Sequence, residues 1–265
     1  MLKFFILKRK SYLVQYSKFM SENKKQWFES WFDSPLYHIL YKNRNQSEAN
    51  LFIDNIITQL DINYGKILDL ACGKGRHAYY LAEKGFEVVG VDLSKESIKY
   101  ANTMYQLPNL EFYEHNMLLP FRVNYFDYIF NFFTSFGYFN SIKENEKVFE
   151  SMHIGLKENG MILIDFMNTE KVVKNLIPRE TKEIDGYTFF IRRETKNGKI
   201  YKNIQIEKDD SIWIFKEEVQ ALMSHHFHTF LNNTGFSLVI EFGDYQLNPY
   251  NAKTSDRYIL LAKKK

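Results

Sequence analysis

The sequence predicts an α/β fold: a doubly wound, mostly parallel sheet of seven strands with helices in front of it and a small antiparallel β insertion inside it. Three observations carry this. From Lys66 onward, short apolar runs alternate with helical stretches, the pattern of βαβ units. The first run leads into a glycine-rich turn, D-L-A-C-G-K-G (Asp69 to Gly75), placed where such sheets bind ligands. The next run, F-E-V-V-G-V-D, closes on a second acid, Asp92.

Taken in order, the chain opens with M-L-K-F-F-I-L-K-R-K, whose apolar core of four residues precedes its basic cluster. That is neither a signal peptide nor a membrane span. Residues 1–19 read as an extension ahead of Met20, either outside the native product or an amphipathic helix lying on the domain. Between Trp27 and Asp61, apolar residues recur at helical spacing (Leu51, Phe52, Ile53, Ile56, Ile57, Leu60), so two or three helices are expected. Pro35 follows Ser34, a good N-cap.

The strands then follow: I-L-D-L and a helix through Leu81; F-E-V-V-G-V-D and a helix capped by Ser94; L-E-F-Y-E; Y-F-D-Y-I-F-N-F-F; a helix around Val148 to Leu156; and G-M-I-L-I-D-F-M-N. After Pro178 the rhythm changes. Asp185-Gly186, Asn197-Gly198 and Asp209-Asp210 separate β-rich segments as hairpin turns do, giving the antiparallel insertion at about residues 178–222. A helix through Phe227, Phe230 and Leu231, opened by Ser224 as N-cap and stopped by Gly235, precedes two last strands, S-L-V-I-E-F-G-D-Y and R-Y-I-L-L-A.

Composition narrows the function. Thirty-five Lys and Arg against 32 Asp and Glu leave a net charge of +3, too balanced for a nucleic-acid face. Cys72 is the single cysteine, which excludes an internal disulfide and a multi-cysteine metal site and makes the cytoplasm the default location.

The glycine turn needs arbitration, because G-K-G-R-H-A satisfies the dinucleotide fingerprint. A Walker A loop requires G-x-x-x-x-G-K-[ST], which is absent at this position. A dinucleotide loop places its first glycine directly off the strand, so that pyrophosphate reaches helix N–H groups. Here Asp69 stands four residues ahead of Gly73. A carboxylate there repels pyrophosphate and favours a cofactor carrying an ammonium and a sulfonium. Asp92 suits the two hydroxyls of a ribose, a feature dinucleotide enzymes share.

I-L-D-L-A-C-G-K-G-R-H-A followed by V-V-G-V-D-L-S resembles motifs I and II of the class I S-adenosylmethionine-dependent methyltransferases, with similarity from about Ile67 to Phe166. The resemblance implies a Rossmann-like fold, S-adenosyl-L-methionine as cofactor and S-adenosyl-L-homocysteine as product. It implies a helical lid at 20–64 and a methyltransferase domain at 65–265. Asp69, Ala71, Gly73 and Gly75 would surround the methionine moiety; Ala71 replaces the family's commoner glycine. Asp92 would take the ribose, Leu93 would pack on the adenine, and Asn116 and Met117 would bracket that ring, with Asn116 where Asp is frequent. Asn131 and Phe132, after the fourth strand, are further cofactor contacts. S-P-L-Y-H-I-L-Y-K-N-R resembles the lid, with Arg44 pairing the cofactor carboxylate and Tyr37 or Tyr41 facing the substrate.

Methyl transfer from a sulfonium is an in-line displacement on an activated group, so a catalytic triad is optional. The motif N/D-P-P-[YF] of adenine-amine and glutamine methylation is replaced by N-F-F-T, and a C5-pyrimidine mechanism lacks a free nucleophilic cysteine. What is left is an O, N or C nucleophile of a small molecule. Tyr37, Tyr138, Phe139 and Tyr245 suit an apolar or cationic acceptor. In S-H-H-F-H, His225 and His226 are adjacent and diverge by about 100° on a helix, so no metal site is expected. His226 or Asp244 is the candidate general base, and His77 buttresses the loop. Two alternatives stay open: a non-catalytic S-adenosylmethionine-binding sensor or partner subunit, and an RNA methyltransferase.

Overall fold

The computed structural model describes residues 27–42 and 46–265. Helices α1 (Trp27–Phe32), α2 (Pro35–Leu40) and α3 (Gln46–Leu60) come first. Ser34 caps α2 as its sequence suggests, its hydroxyl accepting the Leu36 N–H at 3.2 Å. Then come β1 (Lys66–Leu70), α4 (Arg76–Glu83), β2 (Glu87–Asp92), α5 (Lys95–Met104), β3 (Leu110–Glu114), β4 (Phe126–Asn131), α6 (Ile142–Gly155), β5 (Leu156–Met167) and α7 (Thr169–Lys174). The insertion supplies β6 (Arg179–Ile184), β7 (Tyr187–Lys196), β8 (Lys199–Lys208) and β9 (Ser211–Gln220). Helix α8 (Ser224–Asn233) and strands β10 (Phe236–Phe242) and β11 (Arg257–Lys264) finish the chain.

Seven strands form one sheet in the order β10-β11-β5-β4-β1-β2-β3. The pairs β1/β2, β1/β4, β2/β3 and β4/β5 are parallel, while β11 runs antiparallel to both β5 and β10. Because β1 neighbours both β2 and β4, consecutive crossovers leave it in opposite directions. That switch point opens a crevice at the carboxyl ends of β1 and β4.

The central strands are apolar on both faces, and each face has its own core. Phe52, Leu81, Phe112 and Phe130 belong to one; Phe149, Ile164, Phe227 and Tyr258 belong to the other. β6–β9 form a separate antiparallel sheet in chain order. Phe189 and Ile191 on β7 and Ile204 and Ile206 on β8 alternate onto one face, where Trp31, Leu36 and Leu40 of α1 and α2 cover them. The Trp31 Nε1–H donates to Glu217 Oε1 at 2.8 Å, so the leading helices dock on the insertion.

Three local expectations change. Helix α6 starts earlier than its apolar pattern suggests, because Ser141 and Glu144 close a capping box ahead of it. Helix α7, with Asn168 at its N-cap, was not apparent from periodicity. In α8 the residue Ser224 is the first helical position and not the cap. Met223 is the cap, and its N–H donates to His226 Nδ1 at 3.0 Å as the imidazole folds back.

Lys264 is buried at the end of β11, with its ammonium donating to the carbonyls of His153 and Leu156, both at 2.9 Å, and to Asn124 Oδ1 at 3.4 Å. It satisfies carbonyls that the end of α6 leaves unpaired. Lys264→Met, which keeps the stem and removes the donors, is expected to cost about 2–3 kcal/mol. Urea unfolding measures this; an unchanged midpoint would show that water reaches those carbonyls instead.

Candidate active site

The loop between β1 and α4 has three residues in left-handed backbone: Ala71 (φ 63°), Gly73 (φ 54°) and Gly75 (φ 84°). Gly75 is the N-cap of α4 and presses on β3 and α5; a Cβ there would lie 2.6 Å from the Phe112 ring and 3.0 Å from Ala101 Cβ. Gly73 faces open space. This turn forms the floor of a cavity of about 530 Å³, within the usual range for a small-molecule site.

Two carboxylates fix the turn. Asp69, near the end of β1, is buried, and the Ala78 amide of the first turn of α4 favours its ionised form. Its Oδ2 has no protein partner. Burial pushes its carboxyl up to about 7, with the Ala78 amide pulling the other way, Asp92 adding to the rise and Arg76 opposing it. Asp92 ends β2 and accepts the Gly73 N–H on Oδ2 and the Ser94 N–H on Oδ1, both at 2.8 Å. Burial also raises its pKa, against those amides. The Gly73 amide, one that an anion would seek, is already given to Asp92. The unpartnered carboxylate oxygen of Asp69 suits a cation better than a pyrophosphate.

Beyond the loop, Leu93, Asn116 and Met117 line the same cavity. Asn116 Oδ1 accepts the Leu118 N–H at 3.0 Å, which sets the turn after β3. Phe132 and Phe133, just after β4, complete this side. His77 lies against both, 5.0 Å from the Phe132 ring and stacked on Phe133 at 5.0 Å and 15°, so it packs α4 on the segment after β4. Burial, and then Arg76, push its imidazole well below the usual histidine range.

The opposite end is aromatic. Phe28 and Phe32 of α1, Tyr37 and Tyr41 at α2, and Tyr138 and Phe139 after β4 line it. Tyr138 lies 5.4 Å from Phe32, which lies 5.1 Å from Tyr37. Tyr41 is anchored to the insertion, its hydroxyl donating to Glu217 Oε1 at 2.6 Å and accepting from the Lys202 ammonium. Ser94, the cap of α5, also donates to Asp33 at the end of α1, tying these helices to the loop side as well.

Of the residues singled out in the sequence, Ala71, Gly73, Asp92, Leu93, Asn116, Met117, Phe132, Tyr37, Tyr41 and Tyr138 line this one cavity. Asp69, Gly75 and Asn131 stand behind its wall. Asn131 is fully buried and donates to the Leu70 carbonyl at 2.8 Å, bracing β1 against β4. His226, Asp244 and Tyr245 are not wall residues. His226 caps α8, Asp244 accepts the Gln246 and Asn248 N–H groups in a turn, and Tyr245 is buried against Phe52. Arg44 lies outside the described residues. The histidine rings do not diverge: folding back to cap α8 brings His226 within 4.1 Å of His225, and His228 pairs with Glu241 at 2.7 Å. Phe28, Phe32, His38, Phe133 and Glu144 also line the cavity. Phe28 and Phe32 show in the sequence only as aromatic density, His38 and Phe133 fall inside S-P-L-Y-H-I-L-Y-K-N-R and Y-F-D-Y-I-F-N-F-F without being singled out, and Glu144 shows only as a capping residue.

The loop backbone sets an order of sensitivity. Ala71→Gly relieves a left-handed alanine and is expected to leave stability unchanged or raise it by up to about 1 kcal/mol. Gly73→Ala should cost about 1 kcal/mol from its backbone alone, and Gly75→Ala about 2 kcal/mol or more because Phe112 must also shift. Denaturant titration of the three variants ranks them; a Gly75→Ala protein no weaker than Gly73→Ala would contradict the packing described.

The sequence profile described as "Methyltransferase domain" matches residues 63–234, well over half of the chain. A relative in Geobacillus sp. (strain WCH70) is 36% identical over 109 residues, 40% of this chain and 44% of its own, so the chain spans less than half the length of that relative. The glycine/sarcosine N-methyltransferase of Aphanothece halophytica is 23% identical over 265 residues, 93% of this chain and 91% of its own. Among solved structures, an S-adenosylmethionine-dependent methyltransferase from Clostridium acetobutylicum superposes with a TM-score of 0.74 at 18% identity, covering 86% of this chain and 95% of that one. CalS10, an amino pentose methyltransferase from Micromonospora echinaspora, superposes with a TM-score of 0.65 at 16% identity over 88% and 98%. With the sheet order, the two strand-end acids and this match together, the chain belongs to the class I S-adenosylmethionine-dependent methyltransferases.

Proposed function

We propose that the chain transfers the methyl group of S-adenosylmethionine to the nitrogen of a small amine held at the aromatic end of the cavity. The ring of Phe28, Phe32, Tyr37 and Tyr138 carries this reading, since aromatic faces attract an ammonium without neutralising it. The full-length alignment with a glycine/sarcosine N-methyltransferase and the fold shared with an amino pentose methyltransferase support a nitrogen acceptor over oxygen or carbon. Residues 20–64 act as the lid in this reading, and the location is the cytoplasm, in keeping with the single buried thiol of Cys72. Among the described residues, no helix is long and apolar enough to cross a membrane.

When bound, the cofactor supplies a methyl group on a sulfonium, already activated for in-line displacement. Asp69 would balance the positive charge of the methionine moiety. Ala71 and Gly73 would allow it close backbone approach, while Gly75 keeps the turn seated on Phe112. The second lone pairs of the Asp92 oxygens would accept the ribose hydroxyls, and Leu93, Asn116, Met117 and Phe132 would enclose the rest of the cofactor. Arg44 would pair the carboxylate. At the other end, the rings exclude water and hold the amine in line. An attacking amine must be neutral, and His38 in the wall is held as a neutral imidazole by burial and then by Lys74, so it can accept a hydrogen bond from the amine.

Two outcomes are expected. The carboxyl of Asp69 titrates near 7 when folded, above its unfolded value, so ionising it costs the ligand-free protein stability as pH rises toward 7. A cationic ligand favours the ionised form. Calorimetric affinity for S-adenosylmethionine should therefore tighten by about threefold from about pH 6 to about pH 7.5, and Asp69→Asn should flatten the dependence.

Asp92→Ala is expected to cost about 1–3 kcal/mol of cofactor binding. Radiolabelled methyl transfer to a panel of amines, phenols, carboxylates and RNA then identifies the acceptor. Transfer to phenols alone removes the amine reading, and binding with no transfer favours a sensor.

A further inference from the structure

The segment after β4 is built in a costly way. Phe133 (φ 58°) and Thr134 (φ 60°) are consecutive non-glycine residues in left-handed backbone, a conformation that disfavours any side chain with a Cβ. Something must hold them there. The holder is Asp165, fully buried near the end of β5. Its Oδ2 accepts the Phe133 N–H at 2.8 Å, and its own backbone carbonyl accepts the Thr134 N–H at 2.9 Å. Arg257, the first residue of β11, donates Nε–H to Asp165 Oδ1 at 2.7 Å and Nη2–H to Thr134 Oγ1 at 2.9 Å. Tyr245 donates its hydroxyl to Asp165 Oδ2 at 3.2 Å.

What this segment carries is the middle of the cavity. The Phe133 ring is stacked on His77 of α4, with the Arg76 guanidinium 4.8 Å from its centroid. The Thr134 carbonyl accepts the Tyr138 hydroxyl at 2.6 Å, and Tyr138 belongs to the aromatic end. A buried ion pair is often no more stabilising than apolar residues of the same volume. Here it has a further task, because no apolar pair supplies the two side-chain hydrogen bonds made to the Phe133 amide and the Thr134 hydroxyl.

We propose that Asp165 and Arg257 form a positioning pair for methyl transfer: by fixing Phe133 and Thr134 they set the Tyr138 side of the cavity relative to the cofactor loop. This rests on the reading of the aromatic end as the acceptor site. Neither residue lines the cavity, and both act through the segment they hold.

The test uses the full chain and the variants Arg257→Lys, which keeps the charge and loses the fork, and Arg257→Lys/Thr134→Gly, whose glycine adopts φ > 0 without help. In Arg257→Lys, hydrogen exchange at the Phe133 and Thr134 amides should speed up at least about tenfold while amides in the middle of β1 keep their protection. The calorimetric Kd for S-adenosylhomocysteine should stay within about threefold, and kcat for the best amine should fall about 30-fold or more, the scale of a misplaced acceptor. The double variant should recover kcat several-fold. Unchanged exchange at the two amides overturns the proposal, as does a loss of cofactor affinity matching the loss of kcat. If the wild type transfers no methyl group to any acceptor, the reading of the site fails by itself, and the exchange measurement still decides whether the pair holds the segment.

Discussion

The site depends on where the backbone amides at the start of α4 point. In a phosphate-binding loop they face the ligand; here the Gly73 amide goes to Asp92, and the Ala78 amide favours the ionised form of Asp69. The two strand-end acids thus stand beneath the turn, with Asp92 holding the Gly73 amide, while Lys74 and Arg76 line the cavity above it. Asp92 keeps acceptor lone pairs for hydroxyls, and the unpartnered Oδ2 of Asp69 stands ready for a donor or a cation. Ala71, Gly73 and Gly75 give the turn its shape through left-handed backbone.

The roof obeys a different constraint. α1 and α2 are helices of six residues each, too short to hold by themselves. Their stability comes from covering Phe189, Ile191, Ile204 and Ile206, with which they form one apolar cluster. Each therefore completes the other, and the Glu217 carboxylate that receives both Trp31 and Tyr41 orients the pair by polar contact. The aromatic end is consequently a property of the docked assembly, built from α1, α2 and the loop after β4 jointly.

Sequence legibility follows contact range. The strand rhythm, the turn, Asp69 and Asp92 were all readable, since each is fixed by neighbours within a few residues or by the parallel register of β1 and β2. The caps at Ser34 and Ser94 were readable for the same reason. Asn131 was assigned by its position after the fourth strand, where a one-residue difference decides between cavity and core; it faces the core and Phe132 the cavity. Asp244 and His226 invited a chemical role, yet each is taken up by a local cap. The Asp165–Arg257 pair joins residues 92 positions apart across β5 and β11, and no local pattern announces that pairing. The acid inside G-M-I-L-I-D-F-M was its one visible trace, an ionisable group in a run that must be buried.

These two halves meet at Phe133. One side of its ring belongs to the loop of α4 through His77 and Arg76, and its backbone belongs to β5 and β11 through Asp165. The glycine turn is set by contacts close in sequence, whereas the aromatic end of the cavity is assembled from the least local elements of the chain. Changes in α1, α2 and the insertion would reshape the aromatic end, reaching the turn through the contact of Asp33 with Ser94. The segment at Phe133 and Thr134 is the point at which the two halves must stay in register, and it is also where the fully buried Asp165 pairs with Arg257.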